Sequence, residues 1–327
     1  MKNPTWLRSL FLSALLLLVG LASPALAQEP PTTCRMGAYV TSLYDINSSD
    51  GTFKAVFWMW SVCPKKTDEP LMTLEFPNGE DISADLEDKL ERDDGWWSTR
   101  KFIGTFRNNF ELKDFPFDHQ NLTILVEEAV LDEPELIYTA DTAESGFAST
   151  IGIPGWRLEG LSATAGVRTY PTTFGDPSLP DGSSRYAGLT ITIPAERAHW
   201  ATFAQATFSL YIVALLVFAS MLFNILSESM FLGRMGVLGS ALFAVVVGFS
   251  TTDSLIGARQ GMYLLDYLYL ILLLLIVSST AWTITAHRWV ASETAPADIL
   301  RRDQFVSIAL ASAYVIANLV LLVMAQT

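Results

Sequence analysis

The feature that most constrains this chain is an abrupt change in composition after Arg197. From that point, long apolar segments follow one another with only short polar links between them. A stretch of about 20 apolar residues is long enough to cross the hydrocarbon core of a bilayer as a helix. The pattern therefore predicts four membrane helices, at about 201–226, 235–251, 263–284 and 305–325.

The preceding residues, 28–196, have a different pattern. Short runs rich in β-branched and aromatic residues alternate with Gly, Pro, Asn and Asp, which is typical of antiparallel strands joined by turns. The predicted fold class is therefore β plus membrane α. An extracellular, immunoglobulin-like antiparallel β-sandwich over 28–196 precedes a four-helix transmembrane bundle over 197–327.

The first residues, 1–27, are expected to be a secretory signal peptide. Lys2 and Arg8 precede an apolar run, and small residues at 25–27 provide a cleavage site. The links after the first and third apolar segments together contain four arginines, Arg234, Arg288, Arg301 and Arg302, whereas the link after the second contains only Arg259. Because basic residues concentrate in cytoplasmic loops, the β domain is expected to lie outside the cytoplasm.

Charge excludes one class of partner. Without residues 1–27 the chain has 19 basic residues against 34 acidic ones, a balance of −15, which argues against binding nucleic acid. Nine of the acids lie within residues 75–95. A solvated surface explains such a run, and Ca²⁺ or another divalent ion bridging subunits is the sharper alternative, with no residue assigned as a metal ligand. His119 offers a separate route to proton sensing.

The two cysteines, Cys34 and Cys63, are expected to form one disulfide in an oxidising compartment, the alternative being two separate buried thiols. Neither has the companion residues of a zinc site. The chain contains no Gly-rich phosphate loop and no HExxH or GxSxG motif. We therefore expect no catalytic residues, no enzymatic activity and no required cofactor.

The second apolar segment contains one helical stripe whose members are alternately four and three residues apart. Its ends are small or hydroxylated and its middle is bulky and apolar. Such a stripe can line a water-filled path and close it by dewetting. Close packing of helices through small residues is the alternative. The stripe consists of Gly236, Ser240, Phe243, Val247, Ser250 and Ser254, with Asp253 beside its outer end.

Several motifs together carry a resemblance. "FPFDHQ" lies at 115–120, Arg197 immediately precedes the first apolar segment, "GRMG" at 233–236 opens the second, and "YLLDY" at 263–267 opens the third. With four segments in this order, the chain resembles the pentameric ligand-gated ion channel, or Cys-loop receptor, family. Its cysteines do not flank "FPFD" and the link 286–303 is short, so it looks like the bacterial members.

The resemblance implies a homopentamer in the bacterial plasma (inner) membrane, multi-pass, with a periplasmic N-terminal domain. A small molecule or ion would open a pore lined by the second helix. We hypothesise an Asp45–Arg197–Asp118 network between the domains, the alternative being that Asp118 caps its own turn. The coupling interface that the resemblance implies comprises Asp45, Phe115, Pro116, Phe117, Asp118, Arg197 and Arg259.

The resemblance also bears on the agonist site and on the ion selectivity. Family agonists bind in aromatic cages, which suit cationic amines, but aromatic side chains that alternate along a strand more often belong to the core. The acidic outer domain favours permeant cations. A non-conducting membrane sensor with an extracellular ligand-binding domain is the alternative function. The candidate agonist residues are Trp58, Trp60, Phe147, Tyr170, Phe174 and Tyr186.

Overall fold

The computed structural model describes residues 30–177, 179, 182–256, 261–292 and 295–325. The predicted signal peptide and Arg259 lie outside the described residues. The described chain forms an N-terminal β domain with two sheets, followed by four apolar helices. This arrangement is compatible with a β-sandwich followed by a helical bundle.

The first sheet contains the longest antiparallel ladders. Its order is β4-β5-β2-β1-β7, with β8 also paired to β1. Strands β7 and β8 run parallel to β1, and the other pairs are antiparallel. The strands are β1 (Thr32–Asn47), β2 (Thr52–Cys63), β4 (Gly79–Arg92), β5 (Gly95–Arg107), β7 (Leu136–Ala140) and β8 (Gly146–Phe147).

The second sheet leads into the membrane helices. Its order is β10-β11-β6-β3, and β9 also pairs with β11. A single helical turn, Pro70–Thr73, precedes its first strand. The strands are β3 (Leu74–Glu75), β6 (His119–Asp132), β9 (Trp156–Leu158), β10 (Ser162–Tyr170) and β11 (Ser184–Arg197).

One core joins the two sheets. In β2 every second residue is buried, including Phe53, Phe57 and Met59, because alternate side chains of a strand point to the same face. They belong to the same apolar cluster as Ile124 of β6 and Ile191 of β11. The alternation that predicted strands also specifies which face of each sheet is covered.

Cys34 and Cys63 form a disulfide that joins the beginning of β1 to the end of β2. Both side chains are fully buried, with exposed fractions of 0% and 1%. The disulfide prediction is therefore confirmed, and the alternative of two separate thiols is wrong.

The helices are α1 (His199–Ser220), α2 (Glu228–Ile256), α3 (Leu264–Ala291) and α4 (Pro296–Met324). Each is long and apolar enough to cross a membrane. The chain is thus of the multi-pass type that the apolar segments predicted.

The helix ends differ from the limits of the apolar segments. α1 ends at Ser220 rather than near 226, and α2 begins at Glu228 rather than near 235. Between them the chain turns, and the Asn224 side chain accepts a hydrogen bond from the Leu226 amide at 3.0 Å. Apolar residues continue through this turn, so hydropathy alone extends the first segment too far. An acidic side chain at the start of α2 complements the helix dipole.

Candidate functional site

The loop that contains "FPFD" lies where the β domain meets the helices. Phe117 is buried, and its ring centroid lies 5.7 Å from that of Trp200 and 5.5 Å from that of Phe203, both in α1. The carbonyl of Lys113 accepts a hydrogen bond from the amide of Leu264, the first residue of α3, at 3.2 Å. One loop of the β domain therefore contacts two of the four helices.

Asp118, the acid of this loop, forms a two-point ion pair with Arg197 at the end of β11. The Arg197 Nε lies 2.7 Å from Asp118 Oδ1, and Nη2 lies 3.0 Å from Oδ2. The carboxylate is 1% exposed and the guanidinium 12%. Gln120 donates a further hydrogen bond to Oδ2 at 2.7 Å. Because charge-assisted, paired hydrogen bonds are the strong ones, this contact ties the loop to the strand that enters α1.

Arg197 is also held by aromatic rings. Its guanidinium carbon lies 4.8 Å from the centroid of Phe115 and 4.2 Å from that of Trp156. The peptide bond between Phe115 and Pro116, in the same loop, is cis. Trp156, at the start of β9, carries no motif of its own, and its role at this junction was not predicted from the sequence.

The third member of the hypothesised network differs from the prediction. Arg197 Nη2 donates to Ser48 Oγ at 3.1 Å, whereas Asp45 forms an ion pair with Lys54 at 3.0 Å and is 62% exposed. Asp45 has a positive φ of 51° at an irregularity in the β1–β2 register, which places its side chain beside Lys54. Asp45 and Arg197 do line one cavity, of about 570 Å³. The β1–β2 turn thus reaches Arg197 through Ser48.

The stripe on α2 lies on a face that the described residues of the chain leave uncovered. Phe243 is 73% exposed and Val247 45% exposed. On the opposite face, Leu238, Ala241 and Val245 are buried against the other helices. The remaining described members, Gly236, Ser240 and Ser250, are exposed as well. The side chains of Asp253 and Ser254 lie outside the described part.

Arg234, near the start of α2, points away from this stripe. It is fully buried, and its Nη1 lies 3.1 Å from both carboxylate oxygens of Asp303 in α4. Trp282 of α3 donates to the same carboxylate at 2.8 Å. The sequence placed Arg234 in a cytoplasmic link and did not identify Asp303 as its partner. An acid just before the fourth predicted apolar segment was the available signal.

The hairpin between β10 and β11 gathers three of the candidate agonist residues. The Tyr170 ring centroid lies 5.4 Å from that of Phe174 and 6.2 Å from that of Tyr186. The buried Glu127 beneath them accepts a hydrogen bond from the Tyr170 hydroxyl at 2.9 Å and pairs with Arg168 at 2.7 Å. Sequence patterns did not indicate this acid.

Two pKa values are shifted beneath this hairpin. Burial raises the pKa of Glu127, against the opposing effects of the Tyr170 hydrogen bond and of Arg168. Burial, together with the bond to Glu127, raises the pKa of Tyr170 to about 12. The acid that supports the aromatic cluster is therefore easier to protonate than an exposed carboxylate.

The other candidate agonist residues lie elsewhere in the chain. Trp58 and Trp60 are on the outer face of the first sheet, opposite the buried side chains of β2. The Trp60 indole donates to Asp141 at 3.1 Å. Phe147, in β8, packs against the core. Within one chain, these residues are therefore placed apart from the hairpin cluster.

The acidic run 75–95 contains the whole of β4, an exposed strand at the edge of the first sheet. Several of its acids are paired: Lys89 contacts Glu87, Arg107 contacts Glu80, and Arg35 contacts Asp94. Charged side chains on an edge strand discourage pairing with other chains. This arrangement is that of a solvated charged surface.

No protein-family model matches the chain, and no curated protein matches it significantly.

Proposed function

We propose that the protein is a pentameric ligand-gated ion channel of the Cys-loop receptor type, similar to the bacterial members. In this proposal an immunoglobulin-like β-sandwich lies on the periplasmic side of the plasma (inner) membrane and binds the ligand. The helices α1–α4 form the transmembrane bundle of each subunit. The two-sheet β domain and the four apolar helices support this assignment.

The observation that carries the proposal is the uncovered stripe on α2. Its ends present a glycine and hydroxyl groups, and its middle presents Phe243 and Val247 to the surroundings. A helix face turned only to lipid gains nothing from hydroxyl groups. Around a fivefold axis, five copies of this face would line a water-filled path at both ends of the helix and form an apolar ring at its centre. Such a ring closes a pore by dewetting and opens it when it widens.

The junction supplies a route from ligand to pore. The "FPFD" loop contacts α1 through Phe117 and α3 through Lys113, while Asp118 is paired with Arg197. A movement of the β domain is therefore transmitted directly to two helices. A ligand shifts the closed–open equilibrium only by the difference in its affinity for the two states.

The ligand would bind beside the hairpin cluster of Tyr170, Phe174 and Tyr186, with Trp58 and Trp60 contributed by a neighbouring subunit. Aromatic faces beside the buried Glu127 favour a cationic ligand. The excess of acidic residues favours cations as the permeant ions. Modulation by calcium or protons, without any catalysis or required cofactor, completes the proposal.

The test is the current through the purified full-length protein in planar bilayers. Phe243→Ala is expected to increase spontaneous current, because it removes the bulk of the apolar ring. Phe208→Ala is the matched control, since Phe208 is 68% exposed on α1 and lies off the stripe. Reversal potentials in asymmetric salt then measure the selectivity.

Equal currents in both variants and the unmodified protein would contradict the gate assignment. Silence from all three, with folded oligomers verified by size and circular dichroism, would favour the non-conducting sensor. A tetrameric or monomeric mass in native mass spectrometry would overturn the pentamer.

A further inference from the structure

Three strands of the second sheet bring three metal-ligating side chains together. His119 opens β6 and lies directly opposite Glu196 of β11 in the antiparallel register. On the other side of β11, the Glu159 amide just after β9 donates to the carbonyl of Pro194 at 2.9 Å. The residues are distant in sequence, and the sheet register makes them neighbours.

The three side chains share one face of the sheet. In β11, Glu196 is paired with the exposed His119 of β6, and side chains directly opposite each other in an antiparallel pair project from the same face. Glu196 itself is only 8% exposed, and its carboxylate contacts Arg157. His119 precedes the buried Gln120 in the same alternation. One ligand atom from each of His119, Glu159 and Glu196 lies within 4.8 Å of the other two. Small side-chain rotations would therefore bring the three atoms onto one ion.

The donor set selects a class of metal. Calcium and magnesium bind almost entirely through oxygen ligands. An imidazole with two carboxylates instead suits zinc and similar first-row ions, with water in the remaining position. The sheet holds the three backbones at fixed spacing, which lowers the entropy lost when the ion binds.

We propose that His119, Glu159 and Glu196 form a binding site for Zn²⁺. The site lies one residue from the domain junction on two strands, because His119 follows Asp118 and Glu196 precedes Arg197. A bound ion would hold β6, β9 and β11 together at the point where the "FPFD" loop ends and α1 is about to begin. It is separate from the acidic run 75–95.

Arg157 makes the site adjustable. Its guanidinium contacts the Glu196 carboxylate and competes with a metal for that ligand. The Arg157 side chain is 72% exposed, so water can solvate its guanidinium if a bound ion displaces it from Glu196. Glu196 also borders a cleft of about 340 Å³ beside the start of α1, which gives an ion access from solvent.

The experiment is a calorimetric titration of the full-length protein in detergent with Zn²⁺ alone. We expect one ion per subunit, at least tenfold weaker binding in His119→Asn and in Glu159→Gln, and tighter binding in Arg157→Ala. Glu144→Gln, an exposed acid on another part of the domain, is the matched control and should bind as the unmodified protein does.

Several outcomes would overturn the site. Zn²⁺ binding that is absent, or that does not change in His119→Asn, would remove it. Equal occupancy by Ca²⁺ would overturn the metal class, and an unchanged affinity in Arg157→Ala would remove the competing role of that residue. The effect of an ion on gating rests on the proposed channel function, whereas this binding test does not. A failed titration is therefore distinguishable from a silent channel.

Discussion

Two arginine–aspartate pairs, one partly buried and one fully buried, lie at opposite ends of α1 and its neighbouring helices, and they are built differently. At the junction, Arg197 has a two-point contact with Asp118, a hydrogen bond to Ser48 and two aromatic rings beside its guanidinium. At the far end, Arg234 reaches Asp303 through Nη1 alone. Its Nε and Nη2 are buried and have no hydrogen-bond partner among the described residues.

The difference suggests different roles for the two pairs. Arg197 is 12% exposed and borders a cavity of about 570 Å³, which is large enough for water to compensate for part of a lost contact. Arg234 is fully buried between helices, where an unpaired charge cannot be solvated. The first pair is therefore suited to a contact that rearranges, and the second to a fixed connection among α2, α3 and α4.

The largest effect is expected from Asp303→Asn. It leaves the Arg234 charge buried without a counter-charge, and breaking one side of such a pair costs about 3–5 kcal/mol of the free energy of unfolding. Chemical unfolding in detergent micelles measures this loss. The double variant Arg234→Met with Asp303→Leu should recover most of it, because no charge then remains buried. A loss below about 1 kcal/mol for Asp303→Asn would contradict the burial of the pair.

Asp118→Asn should cost less, about 2–3 kcal/mol, because Arg197 keeps Ser48, its ring contacts and access to water. The same unfolding measurement applies. A double-mutant cycle with Arg197→Ala separates the pair from its surroundings, and current recordings of the same variants test the gating role that the proposed channel function assigns to the pair. Strictly additive effects in both measurements would exclude a coupled role for the two residues.

Trp282→Phe sharpens the comparison at the far end. It removes the indole donor to Asp303 and keeps an aromatic ring, so a loss of about 1–2 kcal/mol in unfolding free energy is expected. Trp289→Phe is a suitable control, because Trp289 packs edge-to-face against Trp282 at 5.5 Å. Equal losses in both variants would assign the effect to packing rather than to the hydrogen bond.

A third pair, Glu127 with Arg168, gives the smallest expected effect and a test of sign. Burial raises the pKa of Glu127 above its ordinary value of 4.5. At a pH between the pKa of Glu127 in the unfolded chain and its raised pKa in the folded protein, the folded state binds more protons than the unfolded state. The contribution of Glu127 to stability is therefore greatest below pH 4.5 and falls as pH rises through the folded pKa.

Glu127→Gln should remove this contribution to the pH dependence of the unfolding free energy, compared between pH 4.5 and pH 7. The exposed Glu144→Gln should leave the pH dependence as it is in the unmodified protein. If Glu127→Gln instead steepens the loss of stability with rising pH, the direction of the Glu127 shift is wrong.

Local patterns predicted most elements of the fold, although the acidic strand β4 has no such pattern and the ends of α1 and α2 differ from the apolar segments. Alternating apolar residues in β2 predicted a strand with one buried face, and four apolar segments predicted four helices. An even pair of cysteines, in a domain that the sequence predicts to be exported, predicted one disulfide, which is present. These features depend on neighbours within a few residues or on a single choice of partner, so the sequence alone can specify them.

Tertiary structure decided which side chains meet. A positive φ at Asp45 directs it to Lys54, and the β1–β2 turn reaches Arg197 through Ser48. Arg234 finds Asp303 only because α2 and α4 pack together, and His119 meets Glu159 and Glu196 only through the register of three strands. Hydropathy and motif spacing report the environment along one element, whereas these contacts depend on turns, bulges and registers that join distant elements.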